Sequence, residues 1–137
     1  MTVDTTRLKV ETRGRTDIID LTAQVVAHIE KGPVRQGTVT LFVPGSTAGV
    51  TTVEYEPGVV TDLREAWERL FPADLPYHHN AIDDNGHSHV RAAFLGPSLT
   101  VPIVHGRLAL GTWQQIVLVD FDTRPRRREL IVQIVGE

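Results

Sequence analysis

The 137-residue chain has no cysteine. That excludes disulfides, a thiolate nucleophile and every Cys-ligated zinc or iron–sulfur site, so any transition metal must rest on His, Asp or Glu. Charge of one sign is also lacking. Fourteen Lys and Arg stand against 17 Asp and Glu, a formal net charge of −3, and no global basic field draws the protein to nucleic acid. No apolar run approaches the ~20 residues of a membrane-spanning helix. The opening M-T-V-D-T-T-R-L-K-V has no apolar stretch of the kind a secretory signal needs. No nucleophile elbow, dinucleotide fingerprint or Walker motif is present. These absences point to a cytoplasmic protein without nucleic-acid or membrane partners. The 41% apolar and 23% charged residues are those of an ordinary globular chain, and the length suits one domain.

Residues 5–13 alternate with period two, which predicts a half-buried strand. Asp17 to Asp20 leads into a helix with Leu21, Val25, Val26 and Ile29 at helical spacing, started by Asp20 or Thr22 and stopped by Gly32-Pro33. Gly37–Val43 and Gly49–Tyr55 read as partnered strands joined through Pro44-Gly45-Ser46. A second helix over 59–70 carries Val59, Leu63, Trp67 and Leu70 as its core stripe. A long loop over 73–88 and a short helix over 89–95 follow. Ser98–Val104, Arg107–Leu110, Trp113–Phe121 and Arg127–Val135 then read as a four-strand meander. His105-Gly106 is its first hairpin turn, and Thr123–Arg126 its last. The run Arg124, Arg126, Arg127 and Arg128 reads as a solvated hairpin tip. Strands and helices in this order predict an α+β fold: one compact domain over 1–137, mostly antiparallel and sandwich-like, with two or three helices.

Chemistry concentrates in His78–His89, H-H-N-A-I-D-D-N-G-H-S-H, which holds four of the six histidines. Neutral imidazoles with nearby carboxylates are common ligands of divalent transition metals. If the loop folds back, His79, His87 and His89 can meet around one cation, zinc being the best match. A polar loop or a ligand-free histidine cluster is the alternative. Pro44–Gly49, P-G-S-T-A-G, offers the Ser46 and Thr47 hydroxyls and bare backbone, a nest for a small anion or simply a tight connection. Arg107, Trp113, Gln114 and Gln115 stand where a pocket or subunit contact would use them. Gly111 marks a bulge or close approach.

The run G-P-S-L-T-V-P-I-V-H-G-R-L-A-L-G-T-W-Q-Q-I-V-L-V-D-F-D (Gly96–Asp122) closely resembles the YjbQ-like family, also called the secondary thiamine-phosphate synthase family. F-V-P-G-S-T-A-G-V-T-T-V-E-Y, D-N-G-H-S-H-V-R-A and R-R-R-E-L-I-V-Q-I-V-G-E fit it as well, so the likeness spans essentially the whole chain. The resemblance implies an α+β domain assembled as a homotrimer. It also implies weak thiamine-phosphate synthase activity, the coupling of a pyrimidine pyrophosphate to a thiazole phosphate. Carried over by position, the family's polar site falls on Glu54, one histidine of Tyr77-His78-His79 (His79 favoured), Asn85 and His89. The chain departs from the pattern at Gly45, where many members have histidine, and at His87, where many have aspartate. The expectation is a metal-dependent enzyme acting on a small phosphorylated substrate, with Glu54, His79, Asn85 and His89 catalytic and Ser46, Thr47, Arg107 and Gln114 holding the anion. Its alternative is a metal- or ligand-binding homotrimer without turnover.

Overall fold

A computed structural model describes residues 1–137. The order of elements is β1 (Thr2–Thr12), β2 (Asp17–Asp20), α1 (Thr22–Lys31), β3 (Gly37–Phe42), β4 (Ala48–Val53), α2 (Pro57–Leu70), a 3-10 turn (His78–Ala81), α3 (Gly86–Leu95), β5 (Ser98–Val104), β6 (Arg107–Leu108), β7 (Gln115–Asp120) and β8 (Arg126–Gly136). They form an antiparallel five-stranded sheet in the order β1-β8-β3-β5-β6 and a three-stranded sheet in the order β2-β7-β4.

Alternation along β8 turns Leu130, Val132 and Ile134 inward and Arg127, Glu129 and Gln133 outward. The larger sheet therefore buries one face. β7 is buried on both faces. Ile116 and Leu118 join the main core between the sheets, while Val117, Val119 and Phe121 join a second cluster with Ile18 and Ala92. Val60, Leu63 and Trp67 of α2 pack against that second cluster, so the molecule has three layers: sheet, sheet, helices. The helix α1 inserts Leu21, Val25 and Ile29 into the main core. Neither Asp20 nor Thr22 is its N-cap: Leu21 holds that position without a side-chain cap, and the Asp20 carboxylate just before it accepts the Thr22 N–H.

Four expectations change. The last strands are not a meander: β5 and β6 stay in the larger sheet, β7 crosses to the smaller one and β8 returns. Thr123–Arg126 is thus a corner between sheets. The pair β3 and β4 divides in the same way, β3 bonding β5 and β8 and β4 bonding β7. The sequence pattern of a both-faces-buried strand does not say which sheet it joins. Asp17–Asp20 is a strand rather than a helix lead-in. Leu70 is 68% exposed and α2 buries no residue completely, so its stripe is Val60, Leu63 and Trp67. The His105-Gly106 turn is as expected, with φ of 51° and 76°, the double left-handed geometry of a tight hairpin.

Candidate functional site

The end of β7 and the two residues after it carry two aspartates into the interior. Asp120 is fully buried and Asp122 is 1% exposed. Arg128, 8% exposed, reaches both Asp120 oxygens at 2.8 Å and gives a further bond to the Thr47 hydroxyl at 2.7 Å. Thr12 donates to Asp120 at 2.6 Å, and Thr47 donates to Asp122. Arg126 closes on Asp122 at 2.6 Å. Two of the four arginines expected in a solvated tip are therefore ion-paired to the interior. Burial works against the charge on Asp120, but hydrogen bonds from Arg128 and Thr12 outweigh it and hold the carboxyl below its usual range. Asp122 is depressed in the same way: burial opposes, and the Thr123 N–H, the Asn85 amide and the Arg126 charge prevail.

This network carries the histidine segment. The Asn85 Nδ2 donates to Asp122 at 3.2 Å, and the Ser88 hydroxyl bonds the Phe121 carbonyl. Asn80 accepts the Gly86 N–H, and a Cβ at Gly86 would stand 2.4 Å from that of Tyr77. The 3-10 turn and the first turn of α3 are thereby clamped together. His79 and His89 meet edge to face with ring centroids 4.4 Å apart. His79 Nε2 and Asn85 Oδ1 are both buried without a hydrogen-bond partner. Ser46 and His89 line one shallow pocket of about 400 Å³ with Gly45, Ala48, Ala92 and Pro97.

The match to known proteins is broad. Residues 6–137 fit the family model described as UPF0047 protein YjbQ-like. The chain belongs to the YjbQ-like family. A UPF0047 protein of Methanothermobacter thermautotrophicus is 38% identical across the whole chain and 95% of its own length. One from Mycobacterium tuberculosis is 40% identical over 97% of the chain and 98% of its own. The crystal structure of a family protein of unknown function from Sulfolobus solfataricus superposes with a TM-score of 0.96 at 34% identity, covering 99% of both chains. A hypothetical protein from Aeropyrum pernix gives 0.92, also at 34%, over 98% of this chain and 99% of its own. The antiparallel α+β domain is thus the family's fold.

The structure divides the site residues that the YjbQ-like pattern implied. His79, Asn85, His89 and Ser46 gather at the β7–α3 end, with His79 rather than the exposed His78 in the pair. Thr47 is there too, but it is 5% exposed and its hydroxyl is committed to Asp122 and Arg128. It shapes the floor instead of facing a ligand. His87 turns away from His89, as helical positions two apart must, and lines a separate cleft with Arg91 and Glu68. No group of three or more His, Asp or Glu side chains converges to metal-binding distance. The expected trio His79, His87 and His89 is therefore not assembled within one chain. Glu54 lies beyond the far end of β4, seven residues from Thr47, or about 20 Å along an extended strand. Gln114 is at that same far end, bonded to Thr52 and the Gly111 N–H, and Arg107 is exposed on the edge strand β6.

No motif singles out Asp120, Asp122, Arg91 or Ser88, and Arg128 reads from sequence only as part of a solvated tip. The signal was present in V-L-V-D-F-D, where aspartates continue the inward alternation of an apolar strand.

Proposed function

We propose that this YjbQ-like protein is an enzyme acting on a small phosphorylated molecule, with His79 and His89 as the reacting pair. The observation that carries this reading is the orphaned His79 Nε2 beside His89, with the orphaned Asn85 Oδ1 in the same clamped segment. Leaving a buried polar atom unpaired costs about 1–3 kcal/mol, and a site that accepts a ligand proton or a cation recovers it. Two imidazoles side by side serve as general acid and base near neutral pH, and Asn85, held by Asp122, orients the bound molecule.

A tetrahedral zinc site needs four ligands, and one chain offers two imidazoles here. The donor set does not fit zinc unaided, so proton transfer is the favoured role of the pair and no step is routed through a metal. A divalent ion enters this reading only with a further donor from another copy, for which Glu54 is the candidate. Assembly as a homotrimer brings such a donor within reach and uses Glu54, Arg107 and Gln114, which stand apart from the pair in a single chain. Phe94 and Trp113, 75% and 72% exposed, support contacts between copies. A cytoplasmic location belongs to the same reading.

The named reaction to assay is thiamine-phosphate synthesis, in which the thiazole nitrogen bonds the pyrimidine methylene carbon as its C–O bond to pyrophosphate breaks, and one imidazolium of the pair gives its proton to the departing pyrophosphate. Comparing turnover in wild type, His79→Ala and His89→Ala, with metal content measured alongside, tests the proposal. Turnover lost with metal content unchanged supports proton transfer. Metal bound by the wild type and lost in both variants, with no turnover in any, favours the binding-only homotrimer.

A further inference from the structure

On the other side of α3 from the histidine pair is a cleft of about 540 Å³, lined by polar residues apart from Ala73. Its wall is the connection from β1 to β2, where Gly14, Arg15 and Thr16 have φ of 73°, 54° and 63°. Three successive left-handed residues, two of them non-glycine, are conformationally unfavourable. The segment is held regardless. The Arg15 N–H bonds the Asp122 carbonyl at 2.6 Å, and a Cβ at Gly14 would strike the Arg124 carbonyl oxygen at 2.4 Å. The effect is to carry Arg15 and Thr16 to the cleft.

Two guanidiniums there are anchored by one nitrogen only. Arg15 Nε donates to the Thr123 carbonyl, and Arg64 Nε donates to the Thr16 carbonyl at 3.0 Å. Neither forms an ion pair, unlike Arg91, which is spent on Glu68, Phe71 and Thr16. The terminal nitrogens of Arg15 and Arg64 are thus oriented donors without a carboxylate, the arrangement that receives a phosphoryl group. His87 also lines the cleft, and its Nδ1 is buried with no partner. Asp84, which receives one hydrogen bond from Thr123, and Glu68 supply acceptors on the same lining.

We propose that this cleft is a second ligand site, separate from the histidine pair, for a small phosphorylated molecule bearing hydroxyls. Arg15 and Arg64 take the phosphoryl group, His87 Nδ1 gains its missing partner, and Asp84 and Glu68 accept from ligand hydroxyls. The volume suits a molecule of sugar-phosphate size.

Ribose 5-phosphate, ribose and inorganic phosphate, titrated separately by calorimetry into the full-length protein, test this. The expected result is saturable binding of ribose 5-phosphate, tighter than inorganic phosphate, with ribose alone not binding. Arg15→Met and Arg64→Met should each weaken it about tenfold, the loss of one charged bond, while His89→Ala leaves it unchanged. Absence of saturable binding of ribose 5-phosphate in the millimolar range overturns the proposal. So does binding that survives both arginine substitutions, or binding that His89→Ala abolishes, which would place the phosphate at the histidine pair. Phosphate and ribose 5-phosphate binding equally well overturns the hydroxyl contacts.

Discussion

Arg128 shows how much one side chain can hold in this molecule. Its guanidinium neutralises Asp120 and positions Thr47, and all three are buried. Arg128→Met leaves Asp120 charged in the interior with only Thr12 and a backbone N–H to solvate it. Breaking a buried pair from one side costs about 3–5 kcal/mol, and for a domain of this size the melting temperature should fall by about 10 °C or more. Thermal unfolding followed by circular dichroism measures it. At His87 the sign follows from burial, which favours the neutral ring, aided by the positive charge of Arg91; together they lower its pKa from 6.5. The unfolded chain then binds the extra proton first. Stability is full above about pH 6.5 and declines as the pH falls from there toward the lowered value. Urea unfolding at pH 7 and pH 5 should show a smaller loss for His87→Asn than for the wild type. The depressed Asp120 and Asp122 act in a lower window, their contribution present above the unfolded value near 4 and lost as the pH falls through the folded ones.

At the scale of elements, legibility followed periodicity. The helix α1, with Leu21, Val25 and Ile29 on one side, and the β5–β6 turn were readable because local spacing and local φ requirements decide them. The pairing of β3 with β8 was not, since that contact joins residues about a hundred positions apart and only the fold brings them together. A different reason hid the Arg128–Asp120 pair: the two are only eight residues apart, but they face each other because the chain turns a corner from β7 in the smaller sheet to β8 in the larger. The helix α2 is the element most loosely attached. Glu56 caps its start by accepting the Gly58 and Val59 N–H groups, yet none of its residues is fully buried. Trp67 meets Phe121 edge to face with centroids 4.8 Å apart and is its main anchor. Trp67→Ala should cost about 2 kcal/mol, less than a fully buried aromatic. Hydrogen exchange should quicken in α2 well before β7 responds.

At the scale of the whole molecule, the candidate site is half legible in one chain. The histidine cluster marked the right segment, but composition grouped His87 with His79 and His89, and only the turn of α3 separates them. Glu54 stands just beyond the far end of β4, some 20 Å along the strand from Thr47, so the proposed trimer has a direct consequence. Mixing Glu54→Ala with His89→Ala protomers, after dissociation and reassembly, should restore part of the activity that each variant lacks. Light scattering on the same samples gives the mass of the assembly, expected to be three chains.

The proposed chemistry depends most on the His79–His89 pair. Its direct test is the rate of thiamine-phosphate formation in the wild type and in His79→Ala, His89→Ala and His78→Ala, each checked for unchanged folding. General acid–base groups contribute about 10²–10⁴-fold. Both paired histidines should therefore lower turnover by at least about a hundredfold, and the exposed His78 should leave it as it was. Equal turnover in His89→Ala and the wild type would contradict the account.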